Sequence, residues 1–224
     1  MIADPPESGL RLEVVDRVAV ISIDRPDKRN AMSSAMWTAL LDHLRTIQHD
    51  PDVVAVLLRG EGGSFSAGGD LAELQVADAR HVDRYRQLAE EAVHALTALD
   101  RPKVAAIDGT CFGAGCSLAL ACDVRIATPT STFAIPSLRN GLVYEPAFVH
   151  RLVDVVGSGL AGLLLLGGER WSGEDAAMRG LVDRCASDVA TAVDDFLTAL
   201  RAADPHAIVA TTAAVRGGLQ RAAL

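Results

Sequence analysis

Two short apolar runs in this chain each lead into turns made of small residues, and this pairing constrains the fold more than any other feature. Residues 53–58 (VVAVLL) precede Gly60-Glu61-Gly62-Gly63 and then Ser66-Ala67-Gly68-Gly69-Asp70. Residues 104–107 pass through Asp108-Gly109 into Phe112-Gly113-Ala114-Gly115, and a small-residue helix follows at 116–121. Apolar runs this short read as buried strands. Small residues at the turns let a ligand approach the backbone closely. The second turn opens a helix, whose first N–H groups lack intrahelical partners and carry partial positive charge. Two such N–H groups converging on one oxygen make an oxyanion hole, in which each donor is worth about 3–4 kcal/mol to a transition state. Ordinary tight turns are the competing reading of either motif alone. A dinucleotide fingerprint fits poorly, because the third glycine is misplaced and no acidic residue follows a second strand.

The rest of the chain alternates in the same manner. Residues 11–23 (RLEVVDRVAVISI) read as a two-stranded hairpin ended by Arg25-Pro26-Asp27. Ser33 or Ser34 caps a helix with apolar Met36, Leu40, Leu41 and Leu44. Residues 78–99 form a long amphipathic helix stopped by Arg101-Pro102, and 123–127 a further strand. Residues 147–156 form a helix ended by Gly157; 160–166, a start at 172–176, and 188–202 are also helical. Strands alternating with helices favour a largely parallel α/β arrangement.

Length and composition narrow the function classes. A chain of 224 residues, half of them hydrophobic, is one large domain or one domain with a small appendage. A formal net charge of −8 argues against nucleic acid and anionic membrane as partners, though local basic residues still suit an anionic ligand. Cys111, Cys116, Cys122 and Cys185 show no metal-ligand spacing, and buried cysteines in a reducing compartment are expected. No metal site is predicted. The polar first ten residues lack a signal pattern, and the longest apolar runs fall short of the roughly 20 residues of a membrane span. The expected location is the cytoplasm.

Several motifs in order then carry a family resemblance. They are Arg25-Pro26-Asp27-Lys28-Arg29-Asn30-Ala31, Phe65-Ser66-Ala67-Gly68-Gly69-Asp70-Leu71 and Gly109-Thr110-Cys111-Phe112-Gly113-Ala114-Gly115-Cys116. Leu118-Ala119 through Cys122-Asp123, Phe133 with Pro136, Arg151-Leu152 and Gly180-Leu181-Val182 follow. From about Val14 to about Ala186 the chain resembles the crotonase superfamily, the enoyl-CoA hydratases and isomerases. The resemblance implies an α/β spiral fold of repeated β-β-α units over residues 1–186, with a short helical C-terminal region over 187–224. It implies an acyl-CoA thioester as substrate, no cofactor besides the coenzyme A of that substrate, and a homotrimer or hexamer. It places the oxyanion N–H donors at Gly69 and Ala114, where Ala keeps its N–H but adds a methyl group beside the thioester. It makes Ala31, Ala67, Gly68, Asp70 and Gly113 part of the substrate-binding backbone, with Asp70 expected to be structural. Lys28 and Arg29 become candidates for coenzyme A contact, since such groups suit phosphates; a solvated surface pair is the alternative.

Hydration of a conjugated enoyl thioester needs a water deprotonated and Cα protonated. Family hydratases use two glutamates, and the resemblance puts them directly after Cys116 and directly after Pro136. This chain has Ser117 and Ser137 there. A hydroxyl holds a water but is no base at neutral pH, so help of about 10²–10⁴-fold per group is missing and efficient hydration by that route is not expected. Glu145, eight residues beyond Ser137, is the remaining candidate acid, at a point where some members place a working Asp. One carboxylate beside an oxyanion hole suits double-bond isomerisation. The alternatives are a surface Glu favoured at a helix N-terminus, and a non-catalytic acyl-CoA-binding protein. Tyr144 and His150 lie nearby, and His150 is expected to be structural. Cys116-Ser117-Leu118 is not a nucleophile elbow.

Overall fold

The computed structural model describes residues 8–76 and 78–221. The chain opens with the hairpin β1 (Leu10–Val15) and β2 (Val18–Ile23), joined by Asp16 and Arg17 at φ 46° and 66°. Two successive positive φ values match the strands' right-handed twist. α1 (Ser34–His49) starts where the Ser33 side chain accepts from Met36 N. It buries Met36, Trp37, Leu40, Leu41, Leu44 and Ile47 along one stripe. Then come β3 (Ala55–Gly60), the short α2 (Leu71–Leu74) and the long α3 (Ala79–Ala98). β4 (Lys103–Ile107), β5 (Thr110–Phe112) and α4 (Ala114–Ala121) follow, then β6 (Val124–Ala127), β7 (Thr132–Ala134) and α5 (Pro146–Leu165). β8 (Arg170–Ser172), α6 (Gly173–Met178), β9 (Arg184–Cys185), α7 (Val189–Arg201) and α8 (Pro205–Arg221) complete the order.

The larger sheet runs β1-β2-β3-β4-β6-β9, antiparallel only in the opening hairpin and parallel across β2 to β9. The smaller sheet is β5-β7-β8. β4 passes to β5 and then α4; β6 passes to β7 and then α5. The chain thus steps from one sheet to the other and into a helix, which is the strand-strand-helix spiral. One face of the larger sheet packs Val18, Ala55, Val104 and Ile126 against Ala192, Val193 and Leu197 of α7. The opposite face meets α1, α3 and α4 in the main core around Trp37, Phe65, Leu96 and Ile107. Burying each such side chain contributes about 1.5–3 kcal/mol.

Three expectations change. α4 begins at Ala114 rather than Cys116, which puts Ala114 at its first helical position. The helices expected at 147–156 and 160–166 are two arms of α5, joined through Gly157 at φ 81° and ψ 159°. α5 is also long and apolar enough by length and composition to cross a membrane, with mean hydropathy 1.5, contrary to the expectation from apolar runs. Here it packs on the protein through Phe148, Leu152, Ala161 and Leu164, and Arg151 Nε donates to Leu120 O at 3.0 Å. Cys111, Cys116 and Cys122 are buried, Cys185 half-buried, and all four are free thiols.

α8 is tied to the end of the sheet by one side chain. Arg216 donates to both carboxylate oxygens of Asp123, at 2.8 Å each, and to Leu99 O and Arg101 O. The fully buried Lys103 ammonium lies 3.2 Å from Asp123. Burial opposes Asp123 ionisation, but the Arg216 hydrogen bonds and the Lys103 charge outweigh it and hold the carboxyl below its usual range.

Candidate active site

The two glycine-rich turns meet edge to edge. Ser66 N donates to Thr110 O at 2.8 Å and Phe112 N to Ser66 O at 2.9 Å, a parallel bridge between Ser66 and Cys111. On its other side the first turn bridges Met32: Met32 N donates to Gly68 O at 2.8 Å and Asp70 N to Met32 O at 2.9 Å. Glycine is required by this closeness. A β-carbon on Gly115 would stand 2.8 Å from Ser66 O; one on Gly68 (φ 101°) would stand 2.7 Å from Phe112 O and 3.4 Å from Ala114 N. The bridge geometry directs Gly69 N away from Met32, and Ala114 N is the first donor of α4. Among the described residues neither N–H has a hydrogen-bond acceptor.

Both residues line one cavity of about 130 Å³, together with Ala67, Gly68, Gly113, Ser137, Tyr144 and Glu145. Leu74, Leu142 and Phe148 give it apolar walls. Glu145 is its only carboxylate among the described residues, and Arg86 of α3 its only cation. Glu145 stands as N-cap of α5 with no capping bond from its side chain; its Oε1 lies 3.8 Å from Arg86 Nε.

The remaining sequence candidates lie elsewhere. Ser117 is buried and does not line this cavity: its Oγ lies 2.6 Å from Tyr144 Oη, and it lines a separate, wider groove of about 530 Å³ between α3 and α5. Phe148 borders both spaces. Lys28 and Arg29 are exposed on the loop before α1, outside the cavity. Arg29 O accepts from Ala67 N at 2.8 Å, so their backbone is fastened to the first turn. Ala31 O accepts from Arg25 Nη1 at 3.1 Å. Asp70 caps α2 and pairs with Arg25 at 2.6 Å. Partial burial resists its ionisation, but the Arg25 bond and charge and the Ala72 N–H prevail and lower its pKa.

Sequence reading missed Arg86, Phe148 and Tyr85, and noted Tyr144 without giving it a role. Tyr85 of α3 donates to Met32 O at 2.6 Å and accepts from Asp70 N at 3.3 Å. Burial pushes its pKa up to about 12. Tyr144 donates to Gly113 O at 3.1 Å, and burial pushes its hydroxyl well above its ordinary value. The one available signal was scarcity: the chain has two tyrosines in all.

Comparison with known proteins now decides the family. The family model described as enoyl-CoA hydratase/isomerase matches residues 13–223. The chain belongs to the enoyl-CoA hydratase/isomerase family. It is 30% identical over 214 residues to a short-chain-enoyl-CoA hydratase of Clostridium acetobutylicum, covering 93% of this chain and 81% of that protein. A crystal structure of a putative enoyl-CoA hydratase/isomerase family protein from Hyphomonas neptunium superposes with TM-score 0.89 at 30% identity, over 93% of this chain and 82% of that one. An enoyl-CoA hydratase from Bacillus anthracis gives TM-score 0.90 at 25% identity, over 95% and 84% respectively. The two solved structures share the crotonase spiral described above.

Proposed function

We propose that this family member binds an acyl-coenzyme A thioester, holds its carbonyl oxygen between the N–H groups of Gly69 and Ala114, and uses Glu145 to move a proton along the acyl chain. One observation carries this reading: two N–H groups without acceptors among the described residues line the same small cavity as a single carboxylate. Polarising the carbonyl acidifies the adjacent C–H bonds. Glu145 takes a proton from Cα of a β,γ-unsaturated thioester, and the electrons collect on the carbonyl oxygen, facing the two donors. The same carboxylic acid returns the proton at Cγ, giving the conjugated isomer and regenerating the carboxylate. Neither Ser117 nor Ser137 supplies a base for efficient hydration, although Ser137 in the cavity wall suits holding a water for a weak hydratase activity.

A cavity of this size, with Tyr144 and Phe148 in its wall, suits a short acyl chain. The coenzyme A phosphates then lie outside it, where the exposed Lys28 and Arg29 suit contact with them. The assembly proposed is a homotrimer or hexamer in the cytoplasm. A second reading, a non-catalytic acyl-CoA-binding protein, is favoured by the pairing of Ser117 with Tyr144 and of Glu145 with Arg86.

The test is calorimetric binding of crotonyl-CoA alongside turnover of vinylacetyl-CoA and of crotonyl-CoA, for wild type and Glu145→Gln. Binding with isomerisation that Glu145→Gln abolishes supports the enzyme. Binding without turnover of either thioester supports the carrier, and absence of binding overturns both.

A further inference from the structure

Resting on the thioester reading above, we propose that Tyr144 is a positioning residue: its hydroxyl grips the Gly113 carbonyl and thereby aims the Ala114 N–H at the thioester oxygen. The two groups are opposite ends of one rigid trans peptide, so fixing the C=O fixes the direction of the N–H. That peptide needs fixing. Gly113 has φ 48° and ψ −114°, a conformation glycine adopts and leaves easily, and no atom packs within 4 Å of where its β-carbon would be. The other bond to Gly113 O is the helical one from Ser117 N, at 3.2 Å.

The direction of the hydroxyl bond follows from the chemistry. A carbonyl only accepts, so Tyr144 spends its single proton on Gly113 O, and Ser117 Oγ, 2.6 Å away, donates to Tyr144 Oη. Donation in a chain strengthens each successive bond and polarises the Ala114 N–H at its end. Phe148 meets the Tyr144 ring edge-on, with centroids 5.7 Å apart, and holds it in place. Burial keeps the hydroxyl protonated well beyond neutral pH. Ser117 thereby gains a role its sequence position did not suggest: it orients the tyrosine. Tyr144 also directly precedes Glu145, so a single segment sets both the second oxyanion donor and the candidate base.

The probe is sorboyl-CoA, a conjugated dienoyl thioester whose absorption moves to longer wavelength when its carbonyl is polarised. It is titrated into wild type, Tyr144→Phe and Ser117→Ala. The expected result is a clear red shift with wild type and binding within about threefold for Tyr144→Phe, but with most of the red shift lost. Where vinylacetyl-CoA is turned over, kcat falls about fivefold to tenfold in Tyr144→Phe with KM little changed, the size of one lost neutral hydrogen bond. Ser117→Ala keeps the Tyr144–Gly113 bond and most of the shift. A full wild-type red shift in Tyr144→Phe overturns the proposal while leaving the thioester reading intact. Absence of binding to wild type overturns the thioester reading itself. Should Tyr144→Phe not fold, ring-fluorinated tyrosine in a Tyr85→Phe background gives a stronger donor at the same place. A larger red shift than in unlabelled Tyr85→Phe is then expected, and an unchanged one overturns the proposal.

Discussion

The two turns proposed to hold the thioester oxygen differ in their supports. In the first, the peptide carrying the Gly69 N–H is held at its carbonyl by a backbone donor, Met32 N, at 2.8 Å. In the second, the peptide carrying the Ala114 N–H is held by a helical bond and a tyrosine hydroxyl. Side-chain substitution therefore cannot remove the direct grip on the first turn, but it can weaken the second. Tyr85 supports the first turn one residue further on, through Asp70 N and Met32 O.

The largest effects are expected from the chemistry proposed for the turns. Glu145→Gln is expected to lower any isomerisation rate by about 10²–10⁴-fold while leaving thioester affinity within a few-fold, read by steady-state kinetics and calorimetry. Ala114→Pro deletes one donor and should cost about 10²–10³-fold in kcat with helix content retained by circular dichroism. Proline suits the first helical position. Gly113 before it is achiral, and its torsions mirror the extended region that a residue preceding proline prefers. Retention of full activity in Ala114→Pro would mean that the second turn supplies no donor.

Stability differences sharpen the comparison. Gly69→Ala should fail by collision, because its β-carbon would stand 2.8 Å from Leu74 Cδ1 and 2.9 Å from Tyr85 Oη. Gly113→Ala meets no atom within 4 Å and should fail by torsion alone, at φ 48°. Each is expected to cost about 1–3 kcal/mol in urea unfolding. Adding Leu74→Ala should relieve only Gly69→Ala. The alkaline limb of stability reports Tyr85. Its folded pKa of about 12 exceeds the ordinary tyrosine value of 10, so its contribution is complete below pH 10 and is lost as pH rises towards 12. That loss amounts to roughly 2–3 kcal/mol and should be absent in Tyr85→Phe. Asp123 acts oppositely: its lowered pKa adds stability above the unfolded value, lost as pH falls through the folded one, and Arg216→Ala should shrink that acid-limb loss.

The α/β class and the two turns were legible because each is written locally, as an apolar run followed by glycines. Strands of two or three residues, β5, β7, β8 and β9, were not, since no periodicity develops over so few positions. The convergence of the turns depends on a bridge between Ser66 and Cys111, far apart in the chain, which nothing near either residue announces. Glu145 became a candidate through resemblance alone. Tyr144 was not assigned a role, because its partners Ser117 and Gly113 lie 27 and 31 residues away. The serine at 117 suggested a missing acid, whereas in the fold it is the hydroxyl partner of that tyrosine.

The central claim is that Gly69 and Ala114 together grip a thioester oxygen. Isotope-edited infrared spectroscopy of carbonyl-labelled crotonyl-CoA bound to wild type and to Ala114→Pro tests it most directly. The expected result is a bound carbonyl stretch displaced to lower frequency in wild type and returned most of the way towards its solution value in Ala114→Pro. A bound carbonyl at its solution frequency in wild type, or an equal displacement in both proteins, would contradict it.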